Sequence, residues 1–370
     1  MRRRTVPGQL LRLLQLLILP VLYLIIKAAE NSPTVVEDFY SMKLYPVIRG
    51  AVSAFTRIFP FSLVEISAYI LAVVLVVVFL VRFFRLIFLR KEASVQFLSF
   101  IISLVLAGAY FLFTFYVMWG LNYYREPLSV RLDLPERQYT EEELYEVCLD
   151  LAEHAKAERE NVLVDTSGIF CGTFNDMKKD VVEAYTVFGA TRPSFKANVP
   201  QVKPIWASEF FSKCGISGIY IFLTEEANIN VNEPFLYQPF SAAHETGHFM
   251  GYASEEDASF LAFIVCRDAK SSSVKYSGYM HALTNCGNAL AAANRELYDQ
   301  LRSVYSDGMN ADLAFYSEYY NRYADTEVWN KSNDLNDSYL KANNQEKGVL
   351  SYKEDVALIL RFYDSIGFFS

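Results

Sequence analysis

The pentapeptide His-Glu-Thr-Gly-His at residues 244–248 is the part of the sequence whose residue types and spacing most clearly indicate chemistry. Residues four apart lie on one face of a helix, so the imidazoles of His244 and His248 can bind one metal ion. Glu245 is turned about 100° around the helix, where it can hydrogen-bond a water on that ion. This HExxH pattern predicts a zinc site with two histidine ligands and Glu245 as general base.

A zinc site of this kind needs a third protein ligand, and the residues just after the motif offer one. Gly251 is a suitable C-cap for the motif helix, and Ser254 can cap a second helix that begins at the next residue. This turn brings Glu255, Glu256 and Asp257 close to the two imidazoles. We predict Glu255 as the third ligand, with Glu256 as the alternative. The remaining carboxylates need no metal to explain them, since the helix dipole alone favours carboxylates in a first turn.

The apolar periodicity and the breaks in it indicate which elements carry these residues. We expect helices over residues 239–250, 255–268 and about 279–301, and a charged helix over 141–159 that is capped by Thr140. A strand is expected over residues 215–223. As an edge strand beside the motif helix it would bind an extended peptide by β-augmentation, and as a buried strand it would only support the core. The sequence leaves both interpretations open.

Three apolar segments in the first third of the chain have the length that a helix needs to cross a bilayer, about 20 residues. They cover roughly residues 9–29, 62–84 and 95–120. The rest of the chain has the composition of a soluble domain. We therefore predict a membrane domain over residues 1–120 and a separate domain over residues 121–370.

The distribution of basic residues predicts the orientation of these helices. The positive-inside rule places the N-terminus and the loop between the second and third spans in the cytoplasm. Three crossings then put the second domain on the outer face of the cell membrane. The basic residues that carry this prediction are Arg2, Arg3, Arg4, Arg12, Arg82, Arg85, Arg90 and Lys91.

The overall charge excludes one class of partner. The formal net charge is −8, and no basic stripe stands out in the second domain. Nucleic-acid recognition needs clustered lysine and arginine, so a nucleic-acid partner is not expected. The expected partners are the lipid bilayer and a peptide or protein substrate.

The motif and its surroundings resemble an uncharacterised bacterial membrane family, known as domain of unknown function 3810. HETGHFMGYASEEDASF is similar to its HExxHxxGxxxExxAN signature, and WGLNYYREPL, GISGIYIFLTEEANIN and NDSYLKANNQEKGVLSY also match. The resemblance covers nearly the whole chain, including the three spans, and implies no activity. The end of the motif is also similar to gluzincin peptidases, whose first glutamate binds zinc. Carried over, this is Glu255 with Ala258, while Ser259 stands where Asp or Asn is usual.

The segment at residues 336–345 is unusually polar and aromatic for a connection between helices. Tyr339 or Lys341 could stabilise the oxyanion of a tetrahedral intermediate, as Tyr and His do in related peptidases. The same residues would also suit a structural turn. Tyr339 is therefore a candidate catalytic residue.

These observations predict three N-terminal transmembrane helices followed by a mainly α (α+β) zincin-like metallopeptidase domain. The expected function is that of a membrane-anchored zinc hydrolase, which cleaves peptide bonds with a water on Zn²⁺ activated by Glu245. Three alternatives remain. They are a zinc amidohydrolase acting on cell-envelope amides, a non-catalytic zinc-binding membrane sensor or scaffold, and an accessory protein of a transporter.

Overall fold

A computed structural model of the chain describes residues 11–88, 93–200, 202–343, 345 and 355–369. The chain is mostly helical, with one small sheet, and it forms two compact units. The first unit is Met1–Tyr45 with Leu63–Arg125, and the second is Pro46–Ser62 with Glu126–Ser370. Parts of the sequence-based predictions lie outside the described residues: Arg2, Arg3, Arg4, Arg90, Lys91, the side chain of Arg85, and residues 346–352.

The first 118 residues contain three helices that are long and apolar enough to cross a membrane. Their apolar stretches are Leu13–Glu30, Leu63–Phe84 and Gln96–Met118, and no side chain of the second stretch is buried. They agree with the three predicted spans to within a few residues. The helices in this region are α1 (Ile18–Glu30, after a 3₁₀ turn at Leu13–Leu17), α2 (Tyr45–Thr56), α3 (Leu63–Phe88) and α4 (Ala93–Met118).

The first unit contains a buried ion pair that joins distant parts of the sequence. Arg125 donates two hydrogen bonds to the carboxylate of Glu37, at 2.7 and 2.8 Å, and both residues are buried. Beside them, Ser41 donates to the amide oxygen of Asn122 at 2.8 Å. Because removing one member of such a pair leaves a buried charge, the pair fixes the π-helical stretch Val36–Leu44 against the turn after α4.

The second unit is built around one helical core with a three-stranded sheet beside it. The strands are β1 (Lys203–Pro204), β2 (Gly218–Ile221) and β3 (Glu226–Ile229). Its further helices are α5 (Glu141–Arg159), α6 (Phe174–Thr191), α7 (Ser208–Lys213), α8 (Gln238–Phe249), α9 (Glu255–Arg267), α10 (Ser272–Ala293), α11 (Arg295–Arg302), α12 (Asp307–Tyr323), α13 (Glu327–Ala342) and α14 (Asp355–Ser365).

The sheet leaves one strand at its edge. The strand order is β1-β3-β2, with β1 parallel and β2 antiparallel to β3. Gly218 pairs with Ile229 and Ile221 pairs with Glu226. Every residue of β3 is buried, whereas β2 is half-buried throughout. Within the described residues β2 pairs with one strand only, β3, and it is therefore an edge strand of the sheet.

The segment Pro46–Ser62 belongs to the second unit, although the sequence predicted a single boundary near residue 120. Buried Arg49 donates to the carbonyl oxygen of Phe249 at 2.9 Å. The ammonium of Lys203, which is ion-paired with Glu226 in the interior, donates to the carbonyl oxygen of Thr56 at 2.8 Å. These long-range contacts are invisible in the sequence, and they give this segment buried polar partners in the second unit.

Most predicted helices of the second unit are present. Thr140 and Glu143 form the predicted capping box at the start of α5, and Ser254 caps α9. The predicted helix at 279–301 is wrong in one respect, since it is two helices that break at Asn294. Asn294 has an extended backbone there, and its side chain accepts from the N–H of Leu297 to cap the second of them.

Candidate metal centre

The helix α8 carries both histidines of the motif in the interior of the second unit. All twelve of its residues, Gln238–Phe249, are buried. Small side chains allow α8 to be buried this deeply. Ala242 and Ala243 precede the motif, and a Cβ added to Gly247 would lie 3.3 Å from the carbonyl oxygen of Ala258. The glycine therefore lets α8 and α9 approach closely, at a cost of about 1 kcal/mol in helix propensity relative to alanine.

A tight turn brings the start of α9 back to the motif. Gly251 has a φ of 90°, in the left-handed region that favours glycine, and its N–H donates to the carbonyl oxygen of His248 at 2.8 Å. The N–H of Tyr252 donates to the carbonyl oxygen of Gly247. Three residues after Gly251, the side chain of Ser254 caps α9, so that Glu255 is the first residue of the new helix.

The structure brings His244, His248 and Glu255 together in one buried cluster. Oε2 of Glu255 lies 3.1 Å from Nε2 of His244 and 3.5 Å from Nε2 of His248. Ligands of a tetrahedral zinc ion at 2.0–2.2 Å are separated from one another by roughly 3.3–3.6 Å. The 3.5 Å distance lies in this range and the 3.1 Å distance is slightly shorter, and the donor set of two imidazoles and a carboxylate could hold such an ion.

The other ring nitrogen of each histidine is held by a neighbouring oxygen. Nδ1 of His248 lies 2.8 Å from the carbonyl oxygen of Tyr252, which can only accept a hydrogen bond. Nδ1 of His244 lies 3.1 Å from Oγ of Ser259. A proton on Nδ1 leaves the lone pair on Nε2, the atom that faces Glu255 in both rings. Outer contacts of this kind orient the histidine ligands of metal sites.

Electrostatics within the cluster keep Glu255 ionised. Burial alone would raise the pKa of its carboxyl, but the two imidazoles beside it lower that pKa well below the usual range. Burial likewise opposes protonation of His248, yet the carboxylate of Glu255 raises the pKa of that imidazole to about 9. Without a metal ion, an ionised carboxylate therefore lies beside a protonated imidazole at the place where a cation would bind.

Glu245 lies against the edge strand β2. A Cβ added to Gly218 would be 2.7 Å from Cγ and 2.8 Å from Oε1 of Glu245, so a larger residue there would displace the Glu245 side chain or the strand. The backbone N–H of Tyr220 hydrogen-bonds the carboxylate of Glu245. Burial raises the pKa of Glu245 despite the two neighbouring histidines. Gly218 lies within the strand predicted over residues 215–223, and nothing local in the sequence indicates its contact with Glu245.

The neighbouring carboxylates of α9 lie elsewhere. Glu256 is partly exposed and is outside the cluster. Asp257 is buried, and its Oδ1 accepts a hydrogen bond from the N–H of Leu128 at 3.1 Å. In the first turn of α9, the carboxylate of Glu255 thus faces the two histidines, and that of Asp257 binds the backbone at Leu128.

The segment after Asn336 reaches the cluster through a residue that sequence analysis did not single out. Oε1 of Gln345 lies 3.4 Å from the N–H of Glu255, and its Nε2 donates to the carbonyl oxygen of Ala253 at 3.3 Å. Tyr339 lies on α13 with 45% of its surface exposed, and Lys341 pairs with Asp337 at 2.7 Å. Tyr339 stays a prediction as an oxyanion donor.

Comparison with known proteins gives one match. A family described as "Protein of unknown function (DUF3810)" matches residues 40–360, a range that contains α3, α4, the sheet and the whole cluster. No curated protein and no solved structure matches the chain.

Proposed function

The chain belongs to the DUF3810 family, and from that premise we propose that it is a membrane-anchored zinc metallopeptidase. The proposal is carried by one observation, the convergence of Nε2 of His244, Nε2 of His248 and a carboxylate oxygen of Glu255 at 3.1 and 3.5 Å. Three protein ligands leave the fourth position of zinc open, as in catalytic rather than structural sites. Zinc held there would supply a Lewis acid for the attacked carbonyl and would lower the pKa of a water to about 7.

Glu245 is the proposed proton carrier. Its position beside the cluster, one residue after His244, lets it take a proton from the attacking water and pass it to the departing amine. Burial raises its pKa, which improves a carboxylate as an acceptor near neutral pH. The N–H of Tyr220 and the close backbone at Gly218 fix the orientation of the carboxylate.

The edge strand β2 favours a peptide substrate. It is an edge strand of the sheet, the position at which an extended chain binds by β-augmentation, and it contacts Glu245. An extended peptide bound beside Gly218–Ile221 would therefore pass next to the proposed base.

The division of the second unit into two stretches of sequence supports two membrane crossings between those stretches. Pro46–Ser62 and Glu126–Ser370 form one compact unit, so they lie on the same side of any membrane. An even number of crossings must separate them, and α3 and α4 supply two. With Arg82 near the cytoplasmic end of α3, the positive-inside rule places the unit outside the cell.

Assays of the full chain, purified in detergent, test the proposal. Glu245→Gln should retain stoichiometric zinc by elemental analysis and lose cleavage of a peptide library by a factor of about 10² or more, since only the base is removed. His244→Ala should lose both zinc and cleavage. Glu256→Gln, which changes a neighbouring carboxylate outside the cluster, is the matched control and should retain both.

Full peptidase activity in Glu245→Gln would exclude this mechanism. Cleavage of envelope amides without cleavage of any peptide would support the amidohydrolase alternative instead.

A further inference from the structure

A row of aromatic rings lies on the surface of the second unit. Phe55, Phe59, Phe61 and Trp206 follow one another with ring centroids 5.5, 5.7 and 5.9 Å apart. We call these four residues the aromatic row. Trp206 joins it from the loop between β1 and α7, far along the chain from the other three.

The two ends of the row, Phe55 and Trp206, are exposed, and Phe59 and Phe61 between them are half-buried. Of the Phe and Trp residues described in the second unit, those more than half exposed are Phe55, Trp206 and Phe210, at 60, 62 and 59%. Ile58, within the same stretch, is 70% exposed. Scattered apolar residues on a surface are ordinary, but a contiguous group of large ones marks a binding surface.

The chain itself indicates what this surface faces. Ser62 is followed directly by Leu63, the first residue of the apolar stretch Leu63–Phe84, none of whose side chains is buried. At no more than about 3.5 Å per residue, Phe61 is within roughly 7 Å of Leu63. The headgroup region on each side of a bilayer is about 5–7 Å deep. If α3 enters a bilayer, Phe61 and the ring of Trp206 packed on it lie in that region.

We propose that the aromatic row, with Ile58 and Phe210, is a membrane-contact surface that is seated in the headgroup region of a phospholipid bilayer. Tryptophan and other aromatic rings are enriched at that depth in membrane proteins. Exposed Arg57, between Phe55 and Ile58, supplies a cation at the level of the lipid phosphates. This surface does not depend on the proposed metal chemistry. It would bring the loop after β1 into contact with the membrane, which the hydropathy of the sequence does not predict.

Fluorine NMR on the full chain in vesicles of phosphatidylcholine and phosphatidylglycerol tests this proposal. The chain has three tryptophans, so labelling with 5-fluorotryptophan gives three resonances, and W206F and W329F assign them. A lipid with a nitroxide near the headgroup should broaden the Trp206 resonance several-fold more than that of Trp329, which packs on Tyr320 in the second unit. A water-soluble gadolinium chelate should broaden the Trp206 resonance little.

Two outcomes would overturn the proposal. Strong broadening of Trp206 by the gadolinium chelate, with none from the lipid nitroxide, would place the row in water. Protection from both reagents would indicate a protein surface, such as a second copy of this chain, in place of lipid.

Discussion

At the scale of single residues, two adjacent glutamates differ only in the direction of their side chains, and one of them lies in the cluster. Glu255 and Glu256 have the same chemistry and differ by one position on α9, yet only Glu255 lies at 3.1 and 3.5 Å from the two histidines. Successive residues of a helix point about 100° apart, so these two side chains point in different directions. The register of α9, set by its Ser254 cap, determines which of the two glutamates faces the histidines.

This register predicts different results for two alanine substitutions. Glu255→Ala should lower the affinity for zinc by a factor of 10 or more, because it removes one of three ligands. Glu256→Ala should leave zinc affinity unchanged. Titration of the metal-stripped chain with zinc in competition with a chelator measures both. A loss of affinity in Glu256→Ala alone would mean that the register is wrong by one residue.

The charge on His248 predicts a pH dependence of metal binding. In the metal-free chain, Glu255 raises the pKa of His248 to about 9, so its imidazole is protonated at pH 7. A ligand must be neutral, so zinc binding at pH 7 releases this proton, and zinc affinity rises with pH until about pH 9. Calorimetry in buffers of different ionisation enthalpy counts the protons.

Glu255→Gln is the control for that measurement. It removes the charge that raises the pKa of His248, so its proton release at pH 7 should be smaller. Equal proton release from the two proteins would contradict the assigned cause.

At the scale of elements, the approach of β2 to α8 depends on the absence of one side chain. Gly218→Ala would place a methyl group 2.7 Å from Cγ of Glu245, so either the strand or the carboxylate must move. A shift of about 1 Å in a catalytic group can reduce the rate about 10²-fold. We expect retained zinc with strongly reduced turnover. Gly287→Ala, whose nearest neighbour would be at 3.6 Å, should change neither.

The sequence could predict features within one helix, and it could not predict contacts between elements that are distant in the chain. The face shared by His244 and His248 and the cap at Ser254 are local properties, and the sequence predicted them. Ser259 follows Glu255 by four residues on α9, so helical spacing could have placed it on the ligand face. Gly218 and Gln345 act through contacts between distant segments, for which one sequence carries no signal.

At the scale of the whole molecule, the second unit consists of two separate stretches of sequence, and we predict that both are accessible from the same side of the membrane. Gly50→Cys, where an added side chain would meet open space, reports on Pro46–Ser62, and a cysteine added after Ser370 reports on the other part of the unit. In intact cells a membrane-impermeant maleimide should label both, because both parts lie on one side and that side is proposed to be outside. The unaltered chain, with its five cysteines, gives the background.

Labelling of one site without the other would contradict the two crossings by α3 and α4. Labelling of neither, with both labelled after lysis, would place the unit in the cytoplasm and remove the argument for extracellular substrates.

The contact of Arg49 with the end of α8 has a consequence for biosynthesis. A ribosome synthesises Pro46–Ser62 first, and at 5–20 residues per second the residues of the metal cluster follow about 10–40 s later. Until then Arg49 has no Phe249 carbonyl to bind, and α3 and α4 are made in the interval. A nascent chain therefore completes its second unit only after α3 and α4 have been synthesised. A fragment that starts at Glu126 would lack part of its own interior, since Lys203 would lose the Thr56 carbonyl that accepts its hydrogen bond.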